Sequence, residues 1–255
     1  MRNVLIICRK ELRSYFVSPI AYVLLTLWAV IFGYFFWSNL GFFLKYSMEA
    51  QMSGRMYPLN INEQIIRPLL QNIAVIGFFF LPMITMRLFA EEKRSGTIEL
   101  LATSPIRDWE IIIGKWMAAM LLYVCMLLFT VMHFLFVFKY GNPDWKPMLI
   151  AYFGLLLEAG AMLAIGTFIS SLTKNQIIAG AVTFAVLILL YVFAWVSGYD
   201  SSTWARVLSY TSLTTHSESF MRGVVDSKDG IYYATLIFLG LFLTARSMES
   251  LRWRS

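Results

Sequence analysis

Among the residues able to do chemistry, Glu158 is set deepest in an apolar run, Met148 to Leu172. It lies about ten residues into that run, so at ~1.5 Å rise per residue it is roughly 15 Å inside a hydrocarbon layer ~30 Å thick. An ionised carboxylate there is costly unless it is paired, neutral or hydrated. Two readings stand. Glu158 is a polar group on a translocation path, able to carry a proton, or it is a protonated acid bonded to a neighbouring helix. Both require it to face protein rather than lipid. The other candidates are poorer. His133 falls in a separate apolar run, and His216 has Glu218 two residues on. Two isolated histidines make a poor metal site. Cys8 and Cys125 lack metal-ligand spacing and imply no disulfide framework. No G-x-S-x-G elbow presents a nucleophile. No G-x-x-x-x-G-K-S/T loop could cradle the phosphates of a nucleotide.

The elements that must position these groups are membrane spans. The 255 residues are 59% hydrophobic and 14% charged, with a mean hydropathy of +0.67. A soluble domain averages about 45–50% apolar and about 25% charged. No repeat of fixed period is visible, which argues against a solenoid. Six runs approach the roughly 20 apolar residues that a span needs. They are Ile20 to Phe43, Leu69 to Phe89, Ile112 to Phe138, Met148 to Leu172, Ile177 to Ser197 and Ile231 to Ala245, the last short but able to extend into its polar flanks. The expected fold is therefore an all-α integral membrane protein of six transmembrane helices.

The net charge of +6 reads as positive-inside bias rather than as nucleic-acid binding. With the N-terminus inside, thirteen Lys and Arg flank the inner side and eight the outer, so both termini are expected in the cytoplasm. The basic N-terminal residues precede any long apolar run, and no cleavage site closes it, so a cleavable signal peptide is not expected. The outer loops, about Leu44 to Pro68, Lys139 to Pro147 and Gly198 to Gly230, are too small for cores of their own. The last carries Trp204, Val207, Leu208, Phe220, Met221, Val224 and Val225 at helix-like spacing. Short amphipathic or re-entrant helices are expected over 198–230. Ahead of the first span, Leu5, Cys8, Leu12 and Tyr15 lie on one helical side and Arg2, Arg9 and Arg13 on the other. Residues 1–18 thus read as an amphipathic interfacial helix.

The densest polar stretch follows the second span: Glu91, Glu92, Lys93, Arg94, Ser95, Gly96, Thr97, Ile98, Glu99, Leu100, Leu101, then Thr103, Ser104 and Pro105. The span is expected to continue into a charged helical turn, Glu91 to Arg94. Gly96 permits a sharp break. Thr97 can cap a new short helix with Glu99 in its first turn, and Pro105 stops it. A short rigid helix there could transmit force from a cytoplasmic partner; an ordinary solvated loop is the plainer reading.

This stretch resembles the signature of type-2 ABC exporter permeases. So do Lys10-Glu11-Leu12-Arg13-Ser14-Tyr15-Phe16 with Ser18-Pro19, and Ser170-Ser171-Leu172-Thr173-Lys174-Asn175-Gln176. Arg222-Gly223-Val224-Val225-Asp226 and Tyr232-Tyr233 fit as well. The likeness runs along the whole chain and is strongest to the small permeases similar to the gliding-motility ABC permease. It implies a single permease domain with a connecting helix at 1–18 (Arg9, Lys10, Glu11, Arg13). A coupling-helix loop at 91–108 would contact the ATPase, with a smaller contact at Lys174 and Asn175. It further implies a bacterial inner-membrane exporter without cofactor in this chain, ATP and Mg being bound by a dimeric ATP-binding subunit. A second permease subunit, identical or paralogous, would complete the path, and an accessory membrane or periplasmic protein could join it. No enzyme activity and no nucleic-acid partner are expected. The family pattern has an apolar residue where Glu158 stands, so the resemblance gives Glu158 no role. Alternatives are a force-transmitting scaffold for an ATPase acting on the envelope and a proton-driven transporter using Glu158.

Overall fold

The structure, a computed structural model, describes residues 2–53, 60–98, 106–199 and 202–252. Helix α1 (Arg2–Val17) is followed by Ser18, whose hydroxyl accepts from Ile20 N at 3.4 Å. Pro19 then opens α2 (Pro19–Ser53), where its missing N–H is no loss. After the first loop, a single π turn (Asn62–Ile66) leads into α3 (Arg67–Thr85). A turn over 86–89 separates α3 from the short α4 (Ala90–Ser95). Then come α5 (Asp108–Tyr140), α6 (Trp145–Leu172), α7 (Gln176–Tyr199), two short helices α8 (Thr203–Thr211) and α9 (Leu213–Met221), and α10 (Ser227–Arg252). The described residues contain no strand. Six helical segments are long and apolar enough to cross a membrane, and they coincide with the six runs read from the sequence.

Helix α6 is the centre of the bundle and packs against α10, α3, α9, α7 and α5. Its small residues allow this, since glycine and alanine let helix backbones approach closely. A Cβ at Gly166 would collide with the Thr85 side chain, and one at Gly154 with Phe220. Helix α1 lies mainly along α5.

Three expectations need correction. Helix α2 does not end near Phe43: Lys45 to Ser53 remain helical, which shortens the first loop. The last apolar run extends into its polar flanks as expected, giving α10 26 residues. The second span does not run unbroken into Glu91, since α3 stops at Thr85 and α4 starts afresh at Ala90. On α1 the inward side is Ile7, Cys8 and Tyr15, whereas Leu5 is exposed. The packing against α5 selects a face rotated from the one that the basic residues suggested.

At the end of the bundle remote from α1, α8 and α9 meet at a corner whose carbonyls are claimed by other side chains. Tyr210 O faces His216 Nε2 at 2.8 Å, Thr211 O accepts from the Tyr232 hydroxyl at 2.6 Å, and Leu213 O accepts from the Tyr233 hydroxyl at 2.7 Å. The last carbonyls of a helix need such partners; at the end of α8, His216 faces Tyr210 O and Tyr232 of α10 serves Thr211 O, while Tyr233 of α10 reaches Leu213 O at the start of α9.

Candidate coupling site

The break between α3 and α4 is built by side chains from three other helices. Pro82 inside α3 contributes no N–H to the helical ladder. Beyond it, the carbonyls of the last turn point to outside donors. Ile84 O accepts from the Tyr15 hydroxyl of α1 at 2.9 Å. Met86 O accepts from the Ser170 hydroxyl of α6 at 3.2 Å. Leu88 O accepts from the Lys115 ammonium of α5 at 2.7 Å. The same Ser170 oxygen accepts from Phe89 N at 3.1 Å and Ala90 N at 3.2 Å, serving the start of α4. The Tyr15 hydroxyl is buried, and burial pushes its pKa well above the usual range, with Glu11 adding to the rise. It is therefore a neutral donor.

Lys115 is the hub. Its ammonium stands 2.8 Å from Glu92 Oε1 on α4 and 3.0 Å from Glu11 Oε1 on α1, in addition to Leu88 O. An ammonium has three donors, and here all three are used. Its side chain is only 2% exposed. Lys10 approaches the rim of this knot, 3.4 Å from Glu11 and 3.7 Å from Glu92. One knot therefore ties α1, α4 and α5. Two further ties flank it. Arg87 reaches Glu91 at 3.0 Å, Ser18 at 3.4 Å and the face of the Tyr15 ring. Asn3 donates to Glu110 at the start of α5 at 3.0 Å, and Glu110 in turn accepts from Arg107 N at 3.2 Å. On the other side of α4, Lys93 donates to Ser171 O.

The residues singled out by sequence divide into two groups. Glu11, Glu92 and Lys93 are turned into the bundle. Arg9, Lys10, Arg13, Glu91, Arg94, Ser95, Gly96 and Thr97 are exposed around them. A groove of about 380 Å³ lies between α1 and α4, lined among others by Lys10, Ser14, Arg87, Ser95 and Thr97. Gly96 has φ 73°, a left-handed conformation that ends α4 with little strain only in glycine. Glu99, Leu101, Ser104 and Pro105, with the body of the expected coupling helix, lie outside the described residues. Lys174 and Asn175 are exposed in the turn after α6. There Asn175 Oδ1 accepts from Ile177 N at 2.9 Å and starts α7.

Glu158 sits apart from this end, in the middle of α6. It is 1% exposed, and neither carboxylate oxygen has a hydrogen-bond partner among the described residues. It faces the bundle, as both sequence readings required. His133 is packed edge-on against Phe32 and Phe36. His216 is less isolated than its sequence position indicated. Its Nδ1 lies 2.7 Å from Asp229 Oδ1, and its ring stacks on Tyr232. Among the described residues no group of three or more metal-ligating side chains occurs. The sequence reading missed Lys115 as a site residue. The signal was present: a Lys inside an apolar span has to find partners.

Comparison with known proteins matches residues 5–220 to the family described as ABC-2 family transporter protein. The chain belongs to this family. The probable multidrug ABC transporter permease YbhR of Escherichia coli K12 and its counterpart in strain O157:H7 are each 26% identical over 151 residues. That stretch covers 56% of this chain and 39% of the relative, so the match spans well under half of YbhR's length. In this chain α1, α4 and the turn between α6 and α7 come together at one end of the bundle, where the Lys115 knot is found.

Proposed function

We propose that this protein is the membrane-spanning permease subunit of an ATP-driven ABC exporter in a bacterial cytoplasmic membrane. The end of the bundle carrying α1 and α4 faces the cytoplasm. There it docks a separate ATP-binding subunit through the 91–108 loop, with Arg9, Lys10 and Arg13 beside it and Lys174 and Asn175 making a smaller contact. The supporting observation is the Lys115 knot. A push delivered to α4 by a partner reaches α1 and α5 through one buried ammonium. It reaches α6 through Ser170, so the ATPase stroke moves four elements together. ATP and Mg belong to the partner chain, which fits the missing phosphate-binding loop.

The test is purification of the full chain from its native membrane together with the products of neighbouring genes. An ATPase should co-purify, and its activity should depend on the permease. The exposed Arg13→Glu change should weaken that association, whereas Glu92→Ala combined with Gly96→Pro should leave a bound ATPase uncoupled. Absence of any bound ATPase, or full coupling in the Glu92→Ala, Gly96→Pro protein, overturns the reading.

A further inference from the structure

Glu158 stands halfway along α6, the helix that packs against most of the others. Its surroundings follow from the contacts that fix α6 to its neighbours. Trp116 of α5 donates to Gly160 O at 3.0 Å, and Thr130 of α5 meets the Tyr152 hydroxyl at 2.6 Å. The two helices run in opposite directions, so Tyr123, midway between those contacts, is level with Glu158 to within a turn. Helix α10 runs alongside α6 in the same direction, with Ile237 bordering Gly160 and Ser247 donating to Ser171 O. That offset brings Tyr233 to the same level. Tyr123 and Tyr233 are closed to solvent, and both lie within electrostatic reach of the Glu158 carboxyl.

No cation answers this acid. Helix α3 carries no charged residue after Arg67, and α7 carries none. Lys115 of α5 is committed to Glu11 and Glu92, His216 of α9 to Asp229, and Glu218 to Arg222. The charges of α4 approach α6 at Ser171, about three turns away. From α10 the titratable groups in reach are the phenols of Tyr232 and Tyr233. An ionised carboxylate without a partner in such a place is far costlier than a neutral one, so the closed bundle holds a carboxylic acid. That acid is not bonded to a neighbouring helix either, since among the described residues neither oxygen has a hydrogen-bond partner. A second orphan stands close by. The indole N–H of Trp28 is buried without an acceptor, and its ring meets Tyr123 edge-on at 6.0 Å between centroids. Two unmet polar groups around one tyrosine are satisfied only when water enters. Apolar contacts at glycines keep it out, Gly154 against Phe220 and Gly160 against Ile237.

We propose that Glu158 is a proton-binding site inside the bundle, loaded when the helices are packed and emptied when they part. The packed state holds the neutral acid. When α6 separates from α5 and α10, water reaches the carboxyl. The O–H bond then breaks, the proton passes to water, and the electron pair stays on the carboxylate. Repacking reverses the step and takes one proton back from water. Each opening of a chain releases one proton and each closing binds one. Acid therefore favours the packed bundle and alkali the parted one, because the packed state is the one that binds the proton. The site lies within a single chain and does not rest on the transport reading. A chain that bound no ATPase would still hold the proton.

The experiment uses the full-length chain in lipid vesicles and infrared spectroscopy, with glutamate isotopically labelled at the side-chain carboxyl carbon. Near neutral pH the wild type should show the carbonyl band of a protonated glutamic acid. The band should shift with the label, be absent from Glu158→Gln and be displaced in Glu158→Asp. Raising the pH should remove it, and lowering the pH should restore it. Hydrogen exchange from Leu155 to Met162 is followed over the same change, as the ratio of wild type to Glu158→Gln, so that the intrinsic pH dependence cancels. That ratio should rise at least fivefold as the band disappears. The proposal falls if the wild type shows no such band near neutral pH, because the site is then ionised in the packed state. It falls if the band persists at every pH at which the protein stays folded, because the acid then never gives up its proton. It also falls if the band vanishes while the exchange ratio stays flat, because the proton then leaves without any opening. If Glu158→Gln does not fold, the band assigned through Glu158→Asp and its reversible loss in the wild type decide the matter.

Discussion

Lys115 on the third span and Glu11 on the N-terminal helix meet at 3.0 Å across 104 positions of sequence. The ammonium is buried and its carboxylates partly so, and Glu92 shares it from the second span's far side at 2.8 Å. Removing the ammonium strands two carboxylates in a poorly hydrated place, so Lys115→Met should be severe. Breaking one member out of a buried ion pair costs about 3–5 kcal/mol. Glu11→Gln with Glu92→Gln in the Lys115→Met protein should recover much of that loss. Melting of these two proteins, the wild type and the Glu11→Gln, Glu92→Gln protein in detergent closes the cycle. If Lys115→Met melts like the wild type, the knot contributes nothing to the folded state.

Ser170 serves two backbone N–H groups and one carbonyl across the α3–α4 break. Ser170→Ala leaves those groups buried without their partner, which costs about 1–3 kcal/mol. The loss should be local. Hydrogen exchange at Phe89 and Ala90 should accelerate more than exchange in the middle of α3.

Gly96 adopts φ 73° with open space around its missing side chain. Gly96→Ala should therefore cost about 1–2 kcal/mol through the backbone alone. Gly96→Asn should cost less than Gly96→Ala, since asparagine tolerates the left-handed region. The ranking, read from melting temperatures, separates a backbone cause from a packing cause. Equal effects of Ala and Asn would point to packing.

His216 has an acceptor at each ring nitrogen, the carboxylate of Asp229 and the carbonyl of Tyr210. Ser219 also donates to Asp229. Asp229→Ala leaves His216 Nδ1 and the Ser219 hydroxyl without their partner and should lower stability by about 1–3 kcal/mol. Tyr233→Phe deletes one hydrogen bond to Leu213 O and should cost about 1 kcal/mol. Limited proteolysis within α8 and α9 should become faster in the first protein and hardly change in the second.

The six spans were legible because their signal is local. Each is a run of apolar residues long enough to cross a membrane, and no packing partner is needed to recognise it. Gly96 was legible for a similar reason, since a glycine after a charged turn marks a stop whatever surrounds it. The α3–α4 break was not legible, because its cause lies elsewhere in the chain. Tyr15, Lys115 and Ser170 lie 69, 27 and 84 positions from the carbonyls they hold, and no window along the sequence contains them together. The outward stretch of α2 was missed for a different reason. Lys45 and Glu49 read as loop residues on hydropathy, yet both are compatible with a helix leaving the membrane for water. His216 looked isolated because Asp229 is 13 positions away, on another helix.

The way the break is held bears on how freely the loop can be exchanged between related permeases. Residues 86–98 contain the break and the first part of the motif, but three of the groups that shape it sit on α1, α5 and α6. A chimera that transplants the loop alone would bring the charges of Glu91 and Glu92 without their anchors. A graft keeps its geometry only if residues equivalent to Tyr15, Lys115 and Ser170 travel with it, so the unit of inheritance here is a set of four helix ends and not a segment of chain.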